Sequence, residues 1–98
     1  MNKNTPHCKL SAIQSLVVAG KVRATLSALT GGAALGLSFI DIVEVILSLS
    51  PSDFYKSMTT YAGHRVWQDV YRPTTSAGAV YLKLTVLDDV LIVSFKEL

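Results

Sequence analysis

Residues 80–96 alternate apolar and polar side chains in two runs, Val80 to Leu87 and Val90 to Lys96, on either side of Asp88-Asp89. A period of two marks a strand with one buried and one solvated face, and two such runs around a short polar turn predict a β-hairpin. With Asp88 and Asp89 as the turn, Leu87 faces Val90, Thr85 faces Ile92, Lys83 faces Ser94 and Tyr81 faces Lys96. Directly opposed residues share a face of the sheet. One face then holds Val80, Leu82, Leu84, Val86, Leu91, Val93 and Phe95, all apolar, and must cover a core. The other holds Tyr81, Lys83, Thr85, Ser94 and Lys96, with Leu87, Val90 and Ile92 nearer the turn. A slip of one residue would bury a phenol and two ammonium groups, so the register is strongly specified.

Upstream, Val66 to Arg72 is aromatic and β-branched, and the turn-rich Pro73 to Gly78 follows it. Pairing that sets Gln68, Val70 and Arg72 beside Tyr81 and Lys83 buries Trp67 and Tyr71. That register is preferred, because it removes both large aromatics from water. The solvated face then gathers Gln, Arg, Tyr and Lys, residue types that contact phosphate, sugar and stacked bases.

The first half reads as helical. Leu10, Ile13, Leu16 and Val17 recur at helical spacing ahead of Gly20, a C-terminal stop. Arg23 to Leu29 predicts a second short helix that ends at Gly31-Gly32. Phe39, Ile42, Val43, Ile46 and Leu47 form an apolar stripe behind Ser38, an N-cap with Asp41 three residues on. Ser50-Pro51-Ser52-Asp53 predicts a new helix start, a short turn carrying Phe54, Tyr55 and Lys56. Helices first and hairpins last give an α+β fold, with N-terminal helices packed on one face of a C-terminal antiparallel sheet. The 98 residues suffice for one domain, 1–98, around one core.

Half the residues are apolar, which excludes disorder, and the net charge of +2 is too small for a bulk nucleic-acid binder. Contact with nucleic acid must come from a local cluster. Cys8 is the single cysteine, so no internal disulfide forms and no zinc-ligand spacing exists, in keeping with a reducing cytosol. Lys3 and Lys9 precede an apolar run from Leu10 to Gly20, but Ser11, Gln14 and Ser15 give that run a polar face. It reads as an amphipathic helix rather than a leader. Gly31, Gly32 and Gly36 spoil Ala24 to Ile40 as a spanning segment. The expectation is a cytoplasmic protein with no membrane contact. His7 and His64 are isolated loop residues, and Asp88-Asp89 is a turn rather than a metal pair, so no metal site is predicted.

The run Asp53-Phe54-Tyr55-Lys56-Ser57-Met58-Thr59-Thr60-Tyr61 is followed by Trp67-Gln68-Asp69-Val70-Tyr71-Arg72-Pro73, Val80-Tyr81-Leu82-Lys83 and Asp89 to Lys96. Together these closely resemble the MqsR family of motility quorum-sensing regulator toxins, as do Thr5-Pro6-His7 and Ala19-Gly20-Lys21-Val22-Arg23. The resemblance covers the whole chain, tightly from Leu49 to Lys96 and more loosely from Ser27 to Ser48. It implies a RelE-like fold and the toxin of a type II toxin–antitoxin pair. The activity it implies is an mRNA interferase that cuts single-stranded messenger at short GCU-containing sequences, with no metal or other cofactor, and so inhibits translation. An MqsA-type antitoxin, with a zinc-binding domain and a helix-turn-helix domain, is the implied partner, and DNA is reached only through it. The family's active-site residues map onto Lys56, Gln68, Tyr81 and Lys96. Tyr55, Met58 and Arg72 lie nearby and, with Lys83, are candidate RNA contacts.

Such cleavage uses the 2′-hydroxyl against the adjacent phosphate and leaves a 2′,3′-cyclic phosphate and a free 5′-hydroxyl. Tyr81 would serve as proton donor or acceptor, Lys56 and Lys96 would supply positive charge, and Gln68 would orient phosphate or base. A cationic cluster is expected to lower the pKa values of Tyr81 and both lysines. The competing function is a non-catalytic RNA- or protein-binding module. A DNA-binding co-repressor is the weaker rival, because no helix carries a basic stripe.

Overall fold

The computed structural model describes residues 1–59 and 66–98; the predicted turn around His64 lies outside them. Two of the three helices form where the apolar spacing puts them. Helix α1 (Leu10–Val18) ends at Ala19, and Gly20 follows with φ +80, a left-handed conformation that glycine adopts without steric cost. Helix α3 (Phe39–Leu47) starts at a complete capping box. Ser38 Oγ accepts from the Asp41 N–H at 3.2 Å, and Asp41 Oδ2 accepts from the Ser38 N–H at 2.8 Å.

The middle helix departs from expectation at both ends. Residues Val22–Ala24 form a strand, β2, and helix α2 begins only at Leu26. Thr25 makes the switch: its hydroxyl accepts from the Ala28 N–H as an N-cap and donates to the Val93 carbonyl at 2.9 Å. Helix α2 (Leu26–Ala34) then runs through Gly31-Gly32 instead of stopping there. The pair is there for close packing. A Cβ on Gly31 would overlap the carbonyl oxygen of Phe95, and one on Gly32 would stand 2.6 Å from Ile42 Cδ1.

After a single 3₁₀ turn at Pro51–Asp53, strand β3 (Phe54–Thr59) begins. Phe54, Tyr55 and Lys56 are therefore carried on a strand and not on a helical turn. Phe54 and Lys56 pair with β4 (Trp67–Tyr71), which holds the segment extended. Strands β6 (Gly78–Val86) and β7 (Val90–Glu97) form the predicted hairpin. Two short strands complete the set: β1 (Asn2–Lys3) pairs with β3, and β5 (Thr74–Thr75) pairs with β6. The sheet order is β1-β3-β4-β6-β7-β2, antiparallel except where β2 runs parallel to β7. The architecture of the described residues is α+β, three helices and a largely antiparallel open sheet.

Two local shifts alter the hairpin near its turn. Val86 pairs with Val90, so the turn is Leu87-Asp88-Asp89 rather than Asp88-Asp89 alone. Thr85 faces Leu91 and Leu84 faces Ile92, in place of the expected Thr85–Ile92 and Leu87–Val90 pairs. A bulge between those pairs and Lys83–Ser94 cancels the offset, so Lys83–Ser94 and Tyr81–Lys96 stand opposed as predicted. The shift buries Val90 and Ile92 fully and leaves Leu91 and Val93 only half-buried. It also leaves Asp89 to bind Arg23 Nε at 2.6 Å.

Ile13, Val17, Ala28, Ile42 and Ile46 of the helices form one core with Tyr71, Leu82, Leu84, Ile92 and Phe95 of the strands. Tyr71 is fully buried, as the preferred register requires, and packs edge-on against Phe54. Trp67 is not: it is half-buried, with His7 stacked on its ring at 5.4 Å and the Lys3 ammonium over it at 4.1 Å. Among the described residues, no single helix is long and apolar enough to cross a membrane.

Tyr71 carries the one buried side-chain hydroxyl without a hydrogen-bond partner among the described residues. Burial, then the charge of Asp69, pushes its pKa up from 10.0 to about 12. The contribution of Tyr71 to folding stability is fully present below pH 10 and is lost as pH rises from there through about 12. Tyr71→Phe removes the stranded hydroxyl. The variant is expected to unfold about 1 kcal/mol harder at pH 7 and to lose less stability between pH 10 and 12, as denaturant titrations at both ends of that window would measure.

Candidate active site

Because side chains alternate, the pairings decide which ones share the face away from the core. Lys56 of β3 faces Val70 of β4, Val70 faces Lys83 of β6, and Lys83 faces Ser94 of β7. These four make one row across the sheet. A row on one side begins with Met58 opposite Gln68. On the other side Tyr81 stands opposite Lys96, and Arg72 follows two residues after Val70. Adjacent rows are about 6.6 Å apart, two residues along an extended strand. Lys56, Met58, Gln68, Arg72, Tyr81, Lys83 and Lys96 thus share one face, as the alternation predicted for β4, β6 and β7.

Tyr55 joins them through an irregularity. The β3–β4 register shifts between Phe54 and Lys56, which leaves Tyr55 unpaired and turns its exposed ring toward the Arg72 guanidinium, 4.4 Å away. Lys56 Nζ lies 5.4 Å from the same ring. Lys96 Nζ is 5.2 Å, and Lys83 Nζ 5.8 Å, from the ring of Tyr81. Two phenols are therefore embedded among four cations. Cations at that range favour an aromatic face and keep their charge available to an anion laid across the site.

The expected lowering of the Tyr81 pKa is not what the surroundings produce. Partial burial, and then the neighbouring Tyr55, push Tyr81 above the ordinary phenol value. Desolvation disfavours the phenolate here, and the second phenol adds to it. At neutral pH Tyr81 therefore holds its proton. Among the described residues no three His, Cys, Asp or Glu side chains come together as a metal site.

One residue that the sequence reading passed over supports this face from behind. Asp69 lies between Gln68 and Val70 on β4, points the opposite way and is buried. Its carboxylate accepts from Ser57 Oγ at 2.6 Å and from the backbone N–H groups of His7 and Cys8 at 3.0 and 3.1 Å. It ties the N-terminal segment and β3 to the strand that carries Gln68 and Arg72. An acid within the aromatic run Trp67 to Tyr71, on the inward phase of the alternation, was the available signal. His7 itself is exposed, and Cys8 is half-buried with its thiol pKa raised by burial and then by Asp69, so neither takes part in the face.

Residues 5–97 match the family described as motility quorum-sensing regulator, toxin of MqsA. The chain is also 61% identical over 97 residues to the mRNA interferase toxin MqsR of Escherichia coli (strain K12), covering 99% of each chain.

Proposed function

The chain belongs to the motility quorum-sensing regulator toxin family, and on that premise we propose that it cuts messenger RNA on the outer sheet face, without a metal ion, by attack of the RNA's own 2′-hydroxyl. It is the toxin of a toxin–antitoxin pair and an mRNA interferase. The observation that carries the placement is the Tyr81–Lys96 pair, flanked by Lys83 and sharing its face with Lys56, Gln68 and Arg72.

The chemistry follows from those groups. A single strand laid across the rows meets the ammonium groups of Lys56, Lys83 and Lys96 at its phosphates, which stabilises the extra charge of the pentacoordinate phosphorane. Gln68 offers both donor and acceptor to orient a phosphate or base edge. Tyr55 and Arg72 give a stacking surface, and Met58 an apolar one. The 2′-hydroxyl releases its proton to a solvent water as it attacks the phosphorus, and Tyr81, held neutral, donates its proton to the departing 5′ oxygen and regains one from solvent. The cut leaves a 2′,3′-cyclic phosphate and a 5′-hydroxyl at GCU-containing sites and so blocks translation.

The remainder of the reading rests on the family. Its fold is RelE-like, with the helices on the inner face of the sheet, and the protein works in the cytoplasm. An MqsA-type antitoxin, with a zinc-binding domain and a helix-turn-helix domain, neutralises it and alone contacts DNA.

Incubation with a single-stranded RNA bearing one GCU, in EDTA, is the test. Cleavage with a cyclic phosphate end is expected, and a 2′-deoxy substitution at the cut site should abolish it. An RNA that is bound yet stays intact would make the face a binding module. A requirement for a divalent ion would refute the metal-free mechanism.

A further inference from the structure

Strand β2 covers the edge of β7 only along Val90–Ile92. Beyond it the edge is flanked by α2, whose Gly31 seats the helix directly against the Phe95 carbonyl. Between them lies a cleft of about 520 Å³, lined by Leu26, Ser27, Thr30 and Gly31 on one side and Ser94 and Lys96 on the other. That size falls within the range of about 300–1,000 Å³ typical of small-ligand sites. Lys96 belongs to both the cleft and the outer face, so the two are continuous.

We propose that this cleft is a subsite for an RNA base flanking the scissile bond, with Leu26 as the apolar platform and Ser27 and Thr30 as the polar contacts. The inference rests on the cleavage reading given above. Its chemistry suits a nucleobase. Leu26, 79 % exposed at the start of α2, gives a flat ring something to cover. The hydroxyls of Ser27, Thr30 and Ser94 each donate and accept, as base edges require. No lining residue carries a negative charge that would repel the backbone.

The other clefts do not compete for this role. One is lined by Asp41, Glu44 and Asp53, which repel a polyanion. Another is lined by Phe54 and Tyr71, on the face of the sheet opposite to Tyr81. Of these three clefts, the one between α2 and β7 adjoins the cationic rows.

The test compares a dinucleotide spanning the cut site with hexanucleotides extended on the upstream or the downstream side. Wild type should cut one extended RNA with a higher kcat/KM than the dinucleotide. Leu26→Ala, and separately the pair Ser27→Ala and Thr30→Val, should remove about tenfold of that kcat/KM, mainly through KM, and leave the dinucleotide unchanged. Leu26→Phe, which enlarges the platform, should lower KM for the same extended RNA. Equal loss on both substrates, or no advantage of either extended RNA in wild type, would overturn the subsite while leaving cleavage itself standing. Should wild type cut none of the RNAs, the subsite and the cleavage reading fail together. A binding measurement with the hexanucleotide made uncleavable by a 2′-deoxy group at the cut site gives a readout free of catalysis. Affinity that does not fall in Leu26→Ala would also overturn the subsite.

Discussion

Tyr81→Phe is expected to lower kcat for RNA cleavage by about a hundred- to ten-thousandfold, the usual span for loss of a positioned proton donor. The substitution removes one oxygen and keeps the ring against which Lys83 and Lys96 lie, at 5.8 and 5.2 Å. Packing and cation placement therefore survive, and KM should change little. Lys96→Ala is the contrasting case. It removes charge from the phosphorane and costs about a hundredfold in kcat, on the scale of one lost stabilising donor. The wild-type pH profile separates the two roles. Because the Tyr81 phenol titrates above its ordinary value, its proton is present throughout the neutral range. As an acid it supports a rate that stays flat on this account and falls only once pH passes 10. A rate that climbs tenfold per pH unit toward that value would mark Tyr81 as a base and reverse its assignment. Single-turnover rates for wild type and both variants, with unfolding midpoints as a control, supply all three comparisons.

Gly31→Ala is expected to be the most damaging small substitution in the protein. In a helix interior the change from glycine to alanine normally adds about 1 kcal/mol of stability. Here the new methyl would overlap the carbonyl oxygen of Phe95, which is backbone and has no rotamer to change. Helix α2 must lift from β7 or fail to dock, a cost of about 3 kcal/mol or more that outweighs the propensity gain. Gly32→Ala meets the far end of the Ile42 side chain at 2.6 Å and the Leu37 carbonyl oxygen at 3.2 Å, a milder backbone approach than at Gly31. Its loss should be less than half as large. Equilibrium denaturation of the two variants gives the comparison, and equal midpoints would show that α2 does not depend on this approach. Lifting α2 would also reshape the edge next to Lys96, so Gly31→Ala should lose activity along with stability.

Both cases bear on what could be read from the chain alone. The outer face was legible because period-two alternation depends only on neighbours. Val70, Lys83, Tyr81 and Lys96 take the positions that alternation assigns. The bulges at Tyr55 and near Val93 were not, since no local signature distinguishes an inserted residue from a paired one. They matter unequally. The hairpin bulge corrects a three-residue turn and leaves the site as read, whereas the shift at Tyr55 brings a second phenol toward Arg72 and Tyr81. Gly31-Gly32 was read as a helix stop because glycine weakens helices, and its tertiary reason, a strand near the C-terminus, lies far off in sequence. Asp69 was hidden for the same reason: its partners His7 and Cys8 come from the other end of the chain. Lys56 was assigned to the face through the family resemblance, and the β3–β4 register supplies its geometry.

The central claim is that RNA lies on the outer face of β3, β4, β6 and β7. Mapping by amide chemical shifts, with an RNA made uncleavable by a 2′-deoxy group at the cut site, tests it most directly. Shifts should cluster at Lys56, Gln68, Arg72, Tyr81, Lys83 and Lys96 and spare α1 and α3. Among the described residues, the other place where a cation meets an aromatic ring is Lys3 on Trp67, whose ring also stacks on His7. Shifts centred there, with the Tyr81–Lys96 pair undisturbed, would contradict the account.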